Sequence, residues 1–281
     1  MIIGHKKQWE ILIKSKNYQA FLFSGQESLG KKKIAIEFAK FLRCQGKQKP
    51  CDQCSECLEI EKKISSDFVL VEPEQDIKIN EIREIKRKMF LSTNSFKIAI
   101  IDKAHLMTKD SQNCFLKILE EPHKNTIFVL ITEHPDLLLP TILSRVQQIK
   151  FFPVSKTEIQ QQISEQEIIE YSLNQPGKAL SLTLEKIKEY KNIINRLEKI
   201  KNYNIGDRFL EAKKISQENL SEIFFIWLCY LRKTFLEQCK NKKNYADTKK
   251  NIKNLQTISS LLGRTNVNKK LATELLLLEL K

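Results

Sequence analysis

The chain has 281 residues, 41% of them hydrophobic and 29% charged, enough for about two domains with ample packed core. No apolar run reaches the roughly 18 residues that a membrane span needs, and the start, "MIIGHKKQWEIL", carries no continuous apolar segment of the secretory kind, so the expected location is the cytoplasm, with no membrane partner. The formal net charge of +14 invites a nucleic-acid partner, but only 8 of the 48 basic residues are arginine, so diffuse, salt-sensitive attraction is expected rather than specific DNA contact by this chain alone.

The first strand, "QAFLFSG", runs into "GQESLGKKK", residues 25–33, and a helical stretch "KKKIAIEFAKFLRC" follows. Gly25, Gly30 and Lys31 stand at the spacing of G-x-x-x-x-G-K-[ST], in the strand–loop–helix context that a phosphate-binding loop requires. In such loops backbone N–H groups at a helix N-terminus cradle phosphates. The serine or threonine that would hold magnesium is replaced by Lys32, whose ammonium has donors and no lone pair. Gly25, Gly30 and Lys31 still leave a place for ATP or ADP bound without turnover. The plainer alternative is a strand-to-helix turn that needs glycine.

Next comes Cys44, then Cys51, Cys54 and Cys57, in the pattern C-x6-C-x2-C-x2-C. In a reducing compartment closely spaced thiolates read as metal ligands rather than disulfides. Four sulfurs close a tetrahedral zinc site with no open position, so structural zinc is the expectation; an iron–sulfur cluster is the rival. Cys114, Cys229 and Cys239 lie in apolar helical settings and read as core residues.

Four further short runs, "DFVLVEP", "KIAIID", "TIFVLIT" and "VQQIKFF", predict strands, with helices such as "SQNCFLKILEEP" between them. Nearly continuous apolar strands alternating with helices indicate α/β: a parallel five-stranded sheet covered on both faces. Pro122 is expected to stop a helix, and Pro153 to mark the end of the last strand. The third strand ends in Asp102 and Lys103. Asp102 could help hold a metal; a carboxylate next to it would polarise an attacking water, and Lys103 cannot do so as a cation. His105 follows, Thr132 ends the fourth strand, and Ser144-Arg145 precedes the fifth. His105 and Thr132 read equally as ordinary polar residues at strand ends, and Arg145 as a partner for a nearby surface carboxylate.

Beyond Pro153 the strand pattern stops. "TEIQQQISEQEIIEYSL" has helical spacing, broken at "QPG", residues 175–177. Ile187, Tyr190, Ile194 and Leu197 make one apolar stripe of a helix. "LSEIFFIWLCYLRKTFLEQC" and "KKLATELLLLEL" are apolar helices, and "KNKKNYADTKKNIKN" between them reads as a solvated loop or helix end.

Together the loop, the cysteine spacing, "IIDKAHLMTKDSQNCFLKILEEPHKNTIFVLIT" and "LPTILSRVQQIKF" resemble the bacterial clamp-loader ATPases of the AAA+ superfamily, from Gly4 to about Pro153, with the helical tail matching in layout. The resemblance implies a RecA-like domain with a zinc module over residues 1–153 (cysteines within 44–57), a small helical lid over 154–184 and an all-helical collar for oligomerisation over 185–281. It implies a DNA polymerase III assembly, a hetero-pentamer with gamma/tau-type and delta-type subunits that loads a sliding clamp onto primed DNA. With Lys32 and Lys103 in place, this chain resembles the non-hydrolysing member more than the motor. Arg145, which follows Ser144 as in the family, would then serve as an arginine finger toward a neighbour's ATP, while Gly25, Gly30, Lys31, Asp102 and Thr132 would form a degenerate nucleotide site. The family's cysteine after Ser-Arg is Val146 here, and Gly177-Lys178 stands where the lid's sensor arginine belongs. An active clamp-loader ATPase and a zinc-dependent DNA-binding protein are the competing expectations.

Overall fold

The computed structural model describes residues 3–15, 18–90, 96–121, 123–264 and 267–280, so the helix stop expected at Pro122 lies outside the described residues. Two compact units are formed: residues 1–162 with 174–180, and residues 163–173 with 181–281.

The first unit opens with α1 (Lys6–Lys14) and β1 (Ala20–Ser24), followed by α2 (Lys31–Arg43), α3 (Ser55–Glu61), β2 (Phe68–Val71) and α4 (Ile79–Met89). Then come β3 (Lys97–Ile101), α5 (Lys109–Glu120), β4 (Thr126–Thr132), α6 (Pro140–Leu143), β5 (Gln147–Lys150) and α7 (Lys156–Gln160). The strands fall where the apolar runs predicted them. They form a parallel sheet in the order β2-β3-β4-β1-β5. In register, Ser24 lies beside both Thr132 and Lys150, so the loops after β1, β3 and β4 emerge along one edge.

Alternate residues of each strand feed opposite faces. Phe21, Phe23, Ile98, Ile100, Val129 and Ile131 pack with Ile34 and Phe38 of α2 on one side. Leu22, Ala99, Ile101, Phe128 and Leu130 pack with Phe115 of α5 on the other. Burying each such side chain contributes about 1.5–3 kcal/mol. Truncating Phe38 would cost about 3–5 kcal/mol through the cavity left behind. The helix α5 starts at Thr108, whose hydroxyl accepts from the Ser111 N–H at 3.3 Å. Buried Gln112 then ties two loops to this helix: its Nε2 donates to Met107 O at 3.1 Å and Leu137 O at 3.2 Å, and its Oε1 accepts from Leu139 N at 2.8 Å. That anchors the segment leading into Arg145.

The stretch after Pro153 holds α7, α8 (Gln166–Tyr171) and α9 (Pro176–Ser181), then α10 (Leu184–Lys201), α11 (Ile205–Ile215), α12 (Leu220–Lys240), α13 (Ala246–Arg264) and α14 (Lys269–Glu279). "QPG" breaks the spacing by starting α9, with Pro176 as its first residue, where a missing N–H costs nothing. In the second unit Ile187, Tyr190, Ile194 and Leu197 are buried, as their stripe predicted. Two expectations are corrected here. Ala246–Arg264 is one helix, so the polar stretch is helical from Ala246 onward. Cys239 is exposed rather than core, and Cys114 is only half-buried, whereas Cys229 is buried. The run "IFFIWLCYL" is largely covered by its own bundle, with Phe224, Ile226, Trp227 and Leu231 buried. Exposed apolar residues of this unit include Ile205 and Leu210 on α11 and Leu271 and Leu275 on α14, with Leu184 on α10, Leu236 on α12 and Leu261 on α13. No helix among the described residues is long and apolar enough to cross a membrane.

Candidate functional site

Two constellations lie in the first unit: the loop after β1 with the strand ends beside it, and the four cysteines beyond α2. The loop begins at Gly25, whose N–H donates to Thr132 O at 3.2 Å. Its φ of +147° and the 2.5 Å that would separate an added Cβ from Phe151 O leave room for glycine alone. Gly30, also at positive φ, caps α2.

Lys31 is buried, and its Nζ donates to Gly25 O and Gln26 O, both at 2.5 Å. The ammonium is thus turned back onto the carbonyls of its own loop. Burial lowers its pKa, opposed by the nearby carboxylates of Glu133, Asp102 and Glu27. Lys32 points at the end of the sheet: its Nζ lies 2.8 Å from Glu72 Oε1 and 3.4 Å from Asp102 Oδ2. Glu72 also receives Lys63, and these two lysines hold its carboxyl below the ordinary range. A cation therefore sits against the acid that could have held magnesium. Lys103, in the left-handed region at φ 48°, follows Asp102, whose Oδ1 accepts the Lys103 N–H at 3.0 Å. No carboxylate is supplied by the residue after Asp102.

Thr132 does sit at this edge. Its hydroxyl meets His105 Nδ1 at 3.0 Å and accepts the His134 N–H at 3.0 Å. Burial, then the neighbouring His134 and Lys103, push His105 below its ordinary pKa, so it is neutral at pH 7. Glu133 is raised from its ordinary value by burial first and by Glu27 second, with Lys31 opposing. Glu133, just after β4, and Glu27, in the loop, thus both act on Lys31, the lysine that a phosphate would need. An apolar cavity of about 80 Å³ opens beside Gly30, between His5, Leu29, Ile34, Pro176 and Leu180, with His5 Nε2 bonded to Leu29 O at 2.9 Å. Arg145 lies after α6 on the surface. Its partners are Glu120 Oε1 at 3.1 Å, Thr141 O at 3.2 Å and Ser144 Oγ at 3.4 Å, none in the loop 25–33.

The cysteine constellation is compact. The sulfurs of Cys44, Cys51, Cys54 and Cys57 all lie within 4.8 Å of one another. Four sulfurs at about 2.3 Å from one ion stand about 3.8 Å apart, so the cluster could hold a metal with small adjustment. Gly46 N–H donates to Cys44 Sγ and Cys54 N–H to Cys51 Sγ, each at 3.3 Å. Backbone N–H groups, those of Gln53 and Cys54 foremost, bring the Cys51 thiol down to about 6, whereas burial foremost pushes the Cys57 thiol up to about 12, so without an ion only part of the set favours the thiolate that a metal needs. Gly46 closes the cradle: a Cβ there would stand 2.8 Å from Cys51 Cβ.

Sequence reasoning missed Glu72, Glu133 and Lys63, and it did not pair Lys31 or Lys32 with these carboxylates. Glu72 follows "FVLV", and a rule that marks polar residues at the C-terminal ends of parallel strands would have found it.

The family described as DNA polymerase III, delta subunit, matches residues 5–155. Over 154 residues the chain is 38% identical to the DNA polymerase III subunit delta' of Bacillus subtilis (strain 168), covering 53% of the chain and 46% of that protein. It is 37% identical over 146 residues to the DNA polymerase III subunit gamma of Buchnera aphidicola subsp. Acyrthosiphon pisum (strain APS), covering 50% and 40% respectively. The chain thus aligns with less than half the length of either relative. Among solved structures, a DNA polymerase III gamma subunit-related protein from Thermotoga maritima shares the fold over 97% of both chains, with a TM-score of 0.52 at 20% identity.

Proposed function

The chain belongs to the DNA polymerase III, delta subunit, family, and from that premise we propose that it is a delta-prime-type clamp-loader subunit that does not hydrolyse ATP. The carrying observation is Lys32, whose ammonium is 3.4 Å from Asp102 where a hydrolytic site would place a divalent cation. Lys103 beside it removes the second acid, so neither the metal nor the general base of phosphoryl transfer is provided.

In this reading residues 1–153 are the AAA+ domain, 154–184 the lid and 185–281 the collar. The chain joins gamma/tau-type and delta-type subunits in a hetero-pentamer that loads a sliding clamp onto primed DNA. Arg145 is offered to a neighbour's ATP; its exposed side chain supports that role, while its ion pair with Glu120 is what the local-pair reading expects. Cys44, Cys51, Cys54 and Cys57 hold structural zinc, which the thiolate-favouring N–H bonds and the four-sulfur set support; zinc there would tie the cysteine segments together and supply no chemistry. Gly25, Gly30, Lys31, Asp102 and Thr132 remain as a nucleotide site with no turnover; ATP or ADP bound there would be inert.

The test is reconstitution. The purified chain alone should show no ATP turnover with magnesium, and adding it to gamma/tau-type and delta-type subunits should restore clamp loading on primed DNA. Turnover by the isolated chain would promote the motor reading. Tight, steeply salt-dependent DNA binding by the monomer would favour a DNA-binding protein instead.

A further inference from the structure

Two buried cations tie the end of α2 to the segments that carry the other cysteines, and we infer that Lys40 and Arg43 are positioning residues for the four-cysteine cradle. The inference rests on reading that cradle as a metal site. Lys40 and Arg43 occupy the last turn of α2, and Cys44 follows directly as the residue that ends the helix. Their side chains are only 6% and 5% exposed.

Each reaches across to the opposite wall. Lys40 Nζ lies 3.0 Å from Asp52 Oδ1, 2.5 Å from Glu61 Oε2 and 3.3 Å from Glu37 Oε1. Asp52 stands in the loop between Cys51 and Cys54, and Glu61 closes α3, the helix that carries Cys57. Arg43 donates from Nε to Glu56 Oε2 at 2.7 Å, and Glu56 stands between Cys54 and Cys57. Its Nη1 bonds Asp67 Oδ2 at 3.1 Å and Phe96 O at 2.6 Å, on the sheet side. Thus the loop and the helix that carry Cys51, Cys54 and Cys57 present carboxylates gripped by a base rooted beside Cys44.

The physical case turns on burial. An exposed lysine pair would contribute little and leave the loop free. A buried cation left without a carboxylate is costly, so Lys40 favours the arrangement that brings Asp52 and Glu61 to it, although both carboxylates are themselves more than half exposed. With Lys40 and Arg43 fixed by α2, whose other face is sheet core, the loop 51–54 and α3 are drawn to one place. Cys44 therefore faces the other three sulfurs before any ion arrives. Groups hydrogen-bonded directly to metal ligands commonly change metal affinity about 10- to 100-fold; Lys40 and Arg43 act one step further out, through the segments that carry the ligands, so an effect of about 10-fold is expected.

The experiment uses the full chain loaded with zinc and, separately, with Co²⁺. Zinc release to a chelating dye, the visible d–d band of the Co²⁺ form and the thermal melt are compared among wild type, Lys40→Met, Lys40→Arg and Glu61→Ala. Lys40→Met is expected to release zinc about 10-fold faster, with a shifted Co²⁺ band, and Lys40→Arg to return most of the loss. If Lys40→Met fails to fold, Glu61→Ala carries the test, because that carboxylate is 63% exposed and Lys40 keeps Asp52 and Glu37 as partners. Release and spectra equal to wild type in a variant that melts normally would overturn the inference. Wild-type chain that takes up neither ion would remove the metal reading itself, and this inference with it.

Discussion

The ammonium of Lys32 and the carboxylate of Asp102 are 3.4 Å apart, and Glu72 holds the same ammonium at 2.8 Å. A cation that belongs to the chain thus stands where a hydrolytic loop would place a metal.

ATP turnover by the isolated chain is therefore expected to stay at background, and Lys31→Ala should change nothing. Lys32→Thr should restore the loop's hydroxyl but still give no turnover, because Lys103 remains where a base is needed. It should alter stability by less than about 1 kcal/mol, since the Lys32 side chain is 44% exposed. A phosphate-release assay and a thermal melt check both. Magnesium-dependent turnover that disappears in Lys31→Ala would overturn the non-hydrolysing reading.

Glu133 gives a pH test. Its pKa in the folded chain is raised, by burial and by Glu27. The folded state then binds the proton more tightly than the unfolded state does, so stability falls as pH rises from the ordinary carboxylate pKa through the raised one. The penalty is fully present above that window and absent below it. Glu133→Gln should consequently melt higher than wild type at pH 7, and the gap should close as pH drops below the carboxylate range. A constant gap at all pH values would assign the effect to packing instead.

Arg145→Ala separates two roles. As a local pair with Glu120, both side chains at least 40% exposed, it should cost under about 1 kcal/mol. As an arginine finger it should leave assembly and melting unchanged while lowering DNA-stimulated ATP turnover of the reconstituted complex by about 10³-fold or more. Normal turnover in an assembled complex would leave Arg145 an ordinary surface charge.

Native mass spectrometry should find one zinc per chain, absent in Cys54→Ser. Gly46→Ala should weaken the site without removing a ligand, because the new methyl would meet Cys51 Cβ at 2.8 Å. An iron-type visible band in the wild type would replace zinc with a cluster.

The inner strands β1, β3 and β4 were legible because a strand buried on both faces must be apolar along its whole length, whereas the edge strands β2 and β5 are only partly buried and were read from shorter apolar runs. The loop and the cysteine cluster were legible because glycine conformations and thiolate ligation demand fixed residue types at short spacing. The misread stretches have equally physical causes. Polar residues at 246–254 gave no apolar stripe strong enough to mark the first turns of α13, since that part lies mostly at the surface. Cys239 sits in an apolar-looking helix but on its exposed side.

Two side-chain chemistries are fixed by residue type whatever the fold: Lys32 can offer no lone pair and Lys103 no carboxylate. Where those charges end up depends on the folded chain. The strand order β2-β3-β4-β1-β5 brings the end of β3 and the end of β2 to the loop after β1, across separations of 70 and 40 residues for Lys32 with Asp102 and with Glu72. Pairings at such distance depend on which strands share the sheet and in what register, and no local spacing encodes that. The same holds for Lys31, whose ammonium turns to its own loop once burial removes water as a partner, and for Glu133, whose altered proton affinity exists only because the folded chain encloses it.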